Sequence, residues 1–515
     1  MKFENVLAEV NGFGRFQIRT LLLLVIPRMT LPFHFLLNNF ISVIPSHRCN
    51  ISALDDGEIF GNLSIEDKLV VSIPLQSDGS PSSCQMFAEP QYHLLYNSTN
   101  STDLPTISCQ DGWVYDNSIF KSTLATEWDL VCDKRSVNRV TATIFFMGVM
   151  FGAAVFGYLS DRFGRKRTLL VSYIMTAIFG FASAFSYNFN MFAVMRFFTG
   201  FGISGVSIIT IVLCVEWVGI KHRTLVGVLM SLDWSFSTIL LPGVAYFVND
   251  WRYLTATVTS PLLLAIICWR WLPESARWLI STGKVNSAHF YLTKCAKLNR
   301  REEFMADLKP EILSKVILVE DENRKYSYMD LVKTPRMRRL ALLTGIVWFG
   351  VACVYYGISL NVPGFGVDIY LTQFIYAISE IPGKIFIIFF LNKLGRRWTQ
   401  AGTLGFTGLC LFCNIFVPQT AGKMFAEAAF TTVFLYTTEL YPTVMRQNGL
   451  GFSSFAARTG VSLSPLVMIL EDVRSYLPNI IFTLVACIGT VSTSFLPETL
   501  NVRLPETIED IEQTR

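Results

Sequence analysis

Gly157-Tyr-Leu-Ser-Asp161-Arg-Phe-Gly164-Arg165-Lys166 and Leu391-Asn392-Lys-Leu-Gly395-Arg396-Arg397 are two versions of one turn, 231 residues apart. The chain around them repeats as well. Glu216, seven residues before Arg223, corresponds to Glu439, seven before Arg446. Pro273-Glu274-Ser275 corresponds to Pro497-Glu498-Thr499, and the intervals agree: Glu216 to Pro273 is 57 residues and Glu439 to Pro497 is 58. One interval does not agree. Gly164 to Glu216 is 52 residues, but Gly395 to Glu439 is only 44. The eight-residue deficit falls around Phe416–Lys423. It predicts either an unusually tight turn there or a following helix that has lost its outer turns.

Composition says what kind of duplicated unit this is. Charged residues make up 16% of the 515, apolar residues 51%, and there are 42 Phe. Soluble domains carry about 25% charge, and the mean hydropathy of +0.42 would leave large aggregating patches on a soluble surface. A lipid-embedded chain follows. The net charge of +4 is too small to point to nucleic acid. Residues 1–19 carry several charges before a long apolar run, unlike a cleavable signal. Two stretches are polar, 45–138 and 273–336; without them and the polar ends, 326 residues remain, about 27 for each of twelve segments. A membrane helix of about 20 residues plus its turn fits that spacing. The expected helices cover 20–44, 140–159, 168–187, 191–215, 225–248, 254–272, 338–360, 369–391, 398–418, 422–440, 449–470 and 478–496. The fold class is thus an all-α membrane protein of twelve transmembrane helices in two pseudo-symmetric halves, 20–272 and 337–496, with ends 1–19 and 497–515 outside the lipid. Such halves enclose a midplane cavity opened to each side in turn, which is transporter architecture.

Lys and Arg set the expected orientation. Arg162, Arg165, Lys166 and Arg167 follow the second helix, and Lys393, Arg396 and Arg397 the eighth. Loop 273–336 holds 12 Lys/Arg against 9 Asp/Glu, whereas loop 45–138 holds 5 against 13. The basic loops and both termini are therefore expected in the cytoplasm, and 45–138 outside. That loop carries four N-glycosylation sequons, at Asn50, Asn62, Asn97 and Asn100. Its four cysteines, Cys49, Cys84, Cys109 and Cys132, are expected to form two disulfides, with three connectivities open. No CxxC spacing supports a metal site instead, and no cofactor is expected.

With these features in place, the chain resembles solute carrier family 22 of the major facilitators along essentially its whole length. The long loop with cysteines and sequons, Asp161-Arg-Phe-Gly-Arg-Lys, Pro273-Glu-Ser-Ala-Arg-Trp-Leu279 and Glu439-Leu-Tyr-Pro-Thr-Val-Met-Arg446 carry the likeness, together with Gly12-Phe-Gly-Arg-Phe-Gln17. Within the family it is similar to the organic anion transporters, and Phe425-Ala-Glu-Ala-Ala-Phe-Thr431 leans towards the organic anion transporter two branch. The resemblance implies a polyspecific plasma-membrane carrier of small organic anions by exchange or facilitated uptake, with a dicarboxylate as a counter-ion.

Charges inside spans are costly, about 2.5–3.5 kcal/mol at the centre of a helix on the mild insertion scale, so each needs a reason. Arg458 in the eleventh helix and Lys384 in the eighth are expected to give the cavity its positive potential, Arg458 as a bidentate carboxylate reader. The plainer reading pairs Lys384 with Glu380, four residues earlier, and Arg458 with Glu427. Cation-carrying relatives resemble this chain but place an acid at the position of Arg458. Tyr355, Tyr356, Trp348, Phe430 and Phe434 are expected to line the pocket, since organic anions have apolar bodies to desolvate. The resemblance adds Trp234 and His34, against ordinary packing and a satisfied core histidine. Asp161, Arg165, Glu216, Arg223, Arg396, Glu439 and Arg446 lie at helix ends and resemble the major-facilitator gating network, expected to lock the outward-open state. Asn392 replaces the acid expected in the second copy.

No Walker loop, HExxH or GxSxG appears, so neither an enzyme nor an ATP-driven pump is expected. Gly200-Phe-Gly202-Ile-Ser-Gly205 lacks dinucleotide-binding spacing and reads as helix packing. The alternatives are a carrier of organic cations or zwitterions, which Asp233 would favour, and a transport-deficient membrane protein, which the short 416–423 junction would favour. The orientation has a direct check: glycosidase treatment should increase gel mobility. Unchanged mobility, in cells that process other membrane glycoproteins, would contradict an outside 45–138 loop.

Overall fold

Gly164 and Gly395 both hold positive φ, +100° and +85°, a region that side chains avoid. A Cβ at either would stand 2.6 Å from a carboxylate oxygen, of Glu274 at Gly164 and of Glu498 at Gly395. Each glycine turns one membrane helix into the next, and the carboxylate behind it accepts the exposed backbone N–H groups of that next helix. The repeated motif is therefore a repeated helix joint, and twelve helices are assembled around two copies of it.

The structure, a computed structural model, describes the chain apart from residues 1–2, 55–58, 77–78, 96–103, 220–221, 304–307, 309, 311–312, 314–327, 361–367, 414–418, 443–444, 501, 503–504, 506–507 and 514–515. The membrane helices of the first half are α1 (Arg15–Leu36), α2 (Arg135–Phe163), α3 (Arg165–Ala184), α4 (Phe189–Trp217), α5 (Arg223–Phe247) and α6 (Trp251–Trp271), the last broken at Ser260. Those of the second half are α7 (Pro335–Leu360), α8 (Ile369–Leu394), α9 (Arg396–Phe412), α10 (Gln419–Leu440), α11 (Arg446–Ile469) and α12 (Leu477–Ser494). Among the described residues, ten of the twelve are long and apolar enough to cross a membrane. Of the other two, α9 has 17 residues and α10 carries Lys423, Glu427 and Glu439.

Helix ends differ from the hydropathy reading where polar residues cap a span. The first helix starts five residues earlier than expected, because Gln17 reaches back to accept the backbone N–H of Gly14 at 3.0 Å. It ends at Leu36 rather than residue 44, and Asn38 turns aside to donate to Thr141. The glycines at 200, 202 and 205 pack α4 closely: a Cβ on Gly200 would lie 2.2 Å from the carbonyl of Phe145 in α2. Close helix crossing is thus their use.

The chain divides into two compact units, one of them residues 40–138 with 248–251 and the other the remainder. The first amends the all-α expectation with two small antiparallel sheets, β1 (His47–Cys49) on β4 (Trp113–Tyr115) and β2 (Gln85–Phe87) on β3 (Thr106–Ser108). Its core is small, built around Leu54, Phe60, Val71 and Met86. Disulfides Cys49–Cys109 and Cys84–Cys132 cross-link it, and loops of this size correspond to about 4 kcal/mol each in the chain-entropy account. Asn50 and Asn62 lie in this unit, while Asn97 and Asn100 fall outside the described residues.

The two halves differ where their intervals disagreed. α9 has 17 residues against 20 in α3, and α10 has 22 against 29 in α4. Among the described residues the difference falls on the helices, most of it on α10; residues 414–418 of the junction lie outside the described residues. At 1.5 Å per residue α9 spans about 25 Å and α10 about 33 Å, against a hydrocarbon core of about 30 Å. Inserting about eight apolar residues near Thr420, to restore the length ratio of the first half, should raise the amount reaching the cell surface severalfold by surface labelling. No gain would mean that the short helices are native to this chain.

Candidate functional site

At the ends of α2 and α8 the repeated acids and arginines form two matching clasps. Arg165 pairs with Glu216 at 3.0 Å and with Asp161, four residues earlier, also at 3.0 Å. Glu274 accepts the backbone N–H of Arg165 at 2.9 Å and of Lys166 at 3.0 Å. In the second half Arg396 pairs with Glu439 at 3.0 Å, and Glu498 accepts the backbone N–H of Arg396 at 2.8 Å and of Arg397 at 3.1 Å. Burial pushes the Glu274 carboxyl above the ordinary glutamate range, against the pull of the backbone N–H groups of Lys166, Ser275 and Arg165. Every one of these contacts stays within its own half. The clasps thus stiffen each half at its basic end. Asp161 is largely exposed, Arg446 is half-buried at the start of α11, and the side chains of Arg223 and Asn392 lie outside the described residues.

Ties between the halves sit towards the opposite end. Arg139 of α2 reaches Glu471 at 2.8 Å and Asp472 at 3.6 Å, just past α11. Asn39 donates to the carbonyl of Ser359 at 2.7 Å, and Tyr246 meets Tyr370 edge-on. The clasps at the basic end, by contrast, each tie residues of one half only. The ties named here join the halves at the end opposite the clasps.

Midway along the bundle the charges pair differently from the sequence expectation. Lys384 binds Glu427 at 3.1 Å rather than Glu380, and its other two donors go to the Ser231 carbonyl at 3.1 Å and Ser235 Oγ at 2.6 Å in α5 of the other half. Glu380 is taken by Lys423 at 3.0 Å, and Tyr355 donates to the same carboxylate at 2.9 Å. Lys423 also donates to Ser359 and lies over the Tyr355 ring. Asp233 is held by Arg28 at 3.1 Å. Lys423, Arg28 and Arg196 were missed, although Arg28 and Arg196 carry the same signal, a charge in an apolar run, that picked out Arg458. Lys423 was hidden because the short junction placed it at the mouth of α10.

Arg458 has no carboxylate within ion-pair distance among the described residues. Its guanidinium donates to the Val149 carbonyl in α2 at 3.1 Å and to Ser454 at 3.4 Å. It is half-buried and lies close enough to Tyr356 for its charge to act on that phenol. The pairing with Glu427 is thus corrected: the fourth position of that quartet belongs to Lys384. His34 is corrected too. Arg196 can only donate, so at 3.1 Å it takes the lone pair of His34 Nδ1, and Nε2 lies 3.4 Å from Thr259 Oγ1. Both ring nitrogens are engaged by the protein, and the ring is fully buried.

The expected aromatics converge on the same region. Trp348 meets Phe434 at 4.5 Å and Phe430 at 6.1 Å, and Tyr355 meets Phe430 at 5.2 Å and Tyr356 at 5.1 Å between ring centroids. Tyr356 continues the chain into the other half, to Phe146 at 5.2 Å and Phe35 at 6.1 Å, and Phe35 reaches Trp234 at 5.8 Å. Phe35 and Phe146 had no sequence signal to separate them from the other phenylalanines. A small pocket beside this row of rings is lined by Gln373, Tyr376, Glu380 and Lys423 among others.

A family model described as Major Facilitator Superfamily matches residues 134–465. Solute carrier family 22 member 7 of Bos taurus is 44% identical over 100% of this chain and 96% of its own length, and the Homo sapiens protein of that name gives the same figures. Solute carrier family 22 member 6 of Pseudopleuronectes americanus is 36% identical over 100% of this chain and 95% of its own. Among solved structures, the inward open conformation of the xylose transporter XylE from E. coli superposes with a TM-score of 0.60 at 16% identity, covering 96% of this chain and 99% of that one. That likeness carries the fold alone. With the duplicated bundle and its clasps, these relatives place the chain in solute carrier family 22 of the major facilitator superfamily, as a multi-pass membrane transporter of small molecules and no enzyme.

Proposed function

We propose that the chain carries organic anions across the plasma membrane by alternating access, with Arg458 as the group that reads the anionic end. The observation that supports this most is the contrast among the buried charges. Lys384, Lys423 and Arg28 each face a carboxylate at about the distance of an ion pair, 3.1, 3.0 and 3.1 Å. Arg458 faces a backbone carbonyl of the other half instead. A permanently charged guanidinium at the interface of the halves, beside a row of aromatic rings, suits a carboxylate on an apolar body. The aromatics Tyr355, Tyr356, Trp348, Phe430, Phe434 and Trp234 would desolvate that body. Lys384 then serves as a tie between halves and a partner of Glu427 rather than as a direct contact.

The basic ends of the bundle are taken as cytoplasmic, with both termini, and the 45–138 unit as extracellular. On that reading the clasped end is the inner one and the present conformation faces inward. The cation or zwitterion alternative loses its support, because Asp233 is neutralised by Arg28.

Uptake of an aromatic monocarboxylate by cells expressing point variants tests the assignment, normalised to surface-labelled protein. Arg458→Asp should abolish uptake and Arg458→Lys should keep part of it, since the charge survives without the planar fork. Arg458→Ala should lose about 10- to 100-fold, the equivalent of about 1.5–3 kcal/mol for a charge-assisted hydrogen bond, and more than Lys384→Ala. Removing Glu427 together with Arg458 should not restore uptake. Rescue in that double variant, or full activity in Arg458→Ala, would contradict the role.

A further inference from the structure

Arg139 stands in the second turn of α2, directly after the 45–138 stretch, at the end of the bundle away from the clasps. It is half-buried, and its guanidinium is held entirely by the other half. It donates to the Met468 carbonyl near the end of α11 and meets Glu471 at 2.8 Å and Asp472 at 3.6 Å just beyond. A planar guanidinium gripping carboxylates is also what a carboxylate-bearing cargo requires.

The course of α2 below Arg139 gives this tie a direction. Ala142, Phe146 and Val149 follow three, seven and ten positions later, so the four residues lie along one helix face. The other half meets that face at each level. Tyr356 packs on Phe146 at 5.2 Å between ring centroids, and Arg458 donates to the Val149 carbonyl at 3.1 Å. At 1.5 Å per residue, Arg139 and Val149 are about 15 Å apart along the axis. One face of α2 thus leads from an arginine at the bundle end, past an aromatic ring, to the place where Arg458 rests.

From this placement we infer that Arg139 is an outer anion-binding site: Glu471 and Asp472 occupy it while this end is tied, and a cargo carboxylate takes their place when it opens. The inference rests on the anion-transport reading above and adds an entry site ahead of Arg458. When the halves part at this end, Arg139 leaves with α2 and the two acids leave with α11, which exposes the guanidinium at the entrance. One carboxylate is exchanged for another at the same donors, so the cation keeps an anionic partner in both states. An ion pair that served only as a latch could carry its charges in either order. The order found puts the cation on the helix that leads to Arg458.

Initial uptake of radiolabelled benzoate is measured over a concentration series, per surface-labelled carrier, in wild type, Arg139→Gln, Glu471→Gln/Asp472→Asn and the combined triple variant. Loss of the two acids should lower KM about three- to fivefold, and loss of Arg139 should raise it by a similar factor, the scale of one partly exposed ion pair. The triple variant should keep the raised KM, because the acids hinder the anion only by occupying Arg139. A latch alone predicts that removing either partner moves KM in the same direction. Shifts of the same sign therefore overturn the inference, and so does a triple variant with a lowered KM. If Arg139→Gln does not reach the surface, the acid variant decides, since it leaves Arg139 in place; an unchanged or raised KM there overturns the inference too. Absence of saturable benzoate uptake in wild type counts instead against the anion reading itself.

Discussion

A charge enclosed in a lipid-embedded bundle has to be matched, because bare hydrocarbon offers it neither water nor counter-ions. That requirement organises the middle of this molecule. α8 and α10 are held together by the Lys384–Glu427 and Lys423–Glu380 pairs, α1 and α5 by Arg28–Asp233, and α1, α4 and α6 by the Arg196, His34 and Thr259 chain. Buried pairs of this kind are weak evidence for stability, since desolvation offsets much of the attraction. Their value here is geometric. They fix which helix faces meet, and they single out by contrast Arg458, which the protein leaves with only a carbonyl and a hydroxyl.

The same economy separates rigid parts from moving ones. Each half is clasped at its basic end by an arginine, a glutamate at the far end of the next helix in its own half, and a second glutamate that accepts the first N–H groups of the arginine's helix. None of these clasps crosses to the other half. Ties that do cross among the described residues are Arg139 to Met468, Glu471 and Asp472, Asn39 to Ser359, Lys384 to Ser231 and Ser235, Arg458 to Val149, Thr459 to Met150, and the ring contacts of Tyr356 and of Tyr246 with Tyr370. Rocking of one half against the other needs only those ties to exchange, while the clasps travel with their own half.

Much of this was legible in the chain. Repeated glycines, acids and arginines at matched intervals disclosed the duplication because a helix joint tolerates so few alternatives: φ must be positive at Gly164 and Gly395, and a carboxylate must stand behind each. The aromatic set was legible from helical spacing and resemblance. Ion partners were not. Spacing along one helix favoured Glu380 for Lys384, yet side chains four apart can each turn to a neighbouring helix, and α10 supplied partners to both. Lys423 escaped notice because the shortened α9–α10 region displaced the expected start of α10, and Asp233 had no visible partner because Arg28 lies 205 residues away. The disulfide connectivity, three ways open in sequence, depended on strand pairing in 40–138 that short polar segments do not advertise.

Charge replacement at position 458 tests the central claim most directly. In an Arg458→Cys carrier, uptake of an aromatic monocarboxylate is measured before and after reaction with a cationic aminoethyl thiol reagent and with a neutral reagent of similar size. The Arg458-bearing parent is treated in parallel, as a control for the seven other free cysteines. If the positive charge at this position reads the anion, uptake is low before reaction and recovers with the cationic reagent only. Recovery with both reagents, or uptake that is already high before either is added, would contradict it.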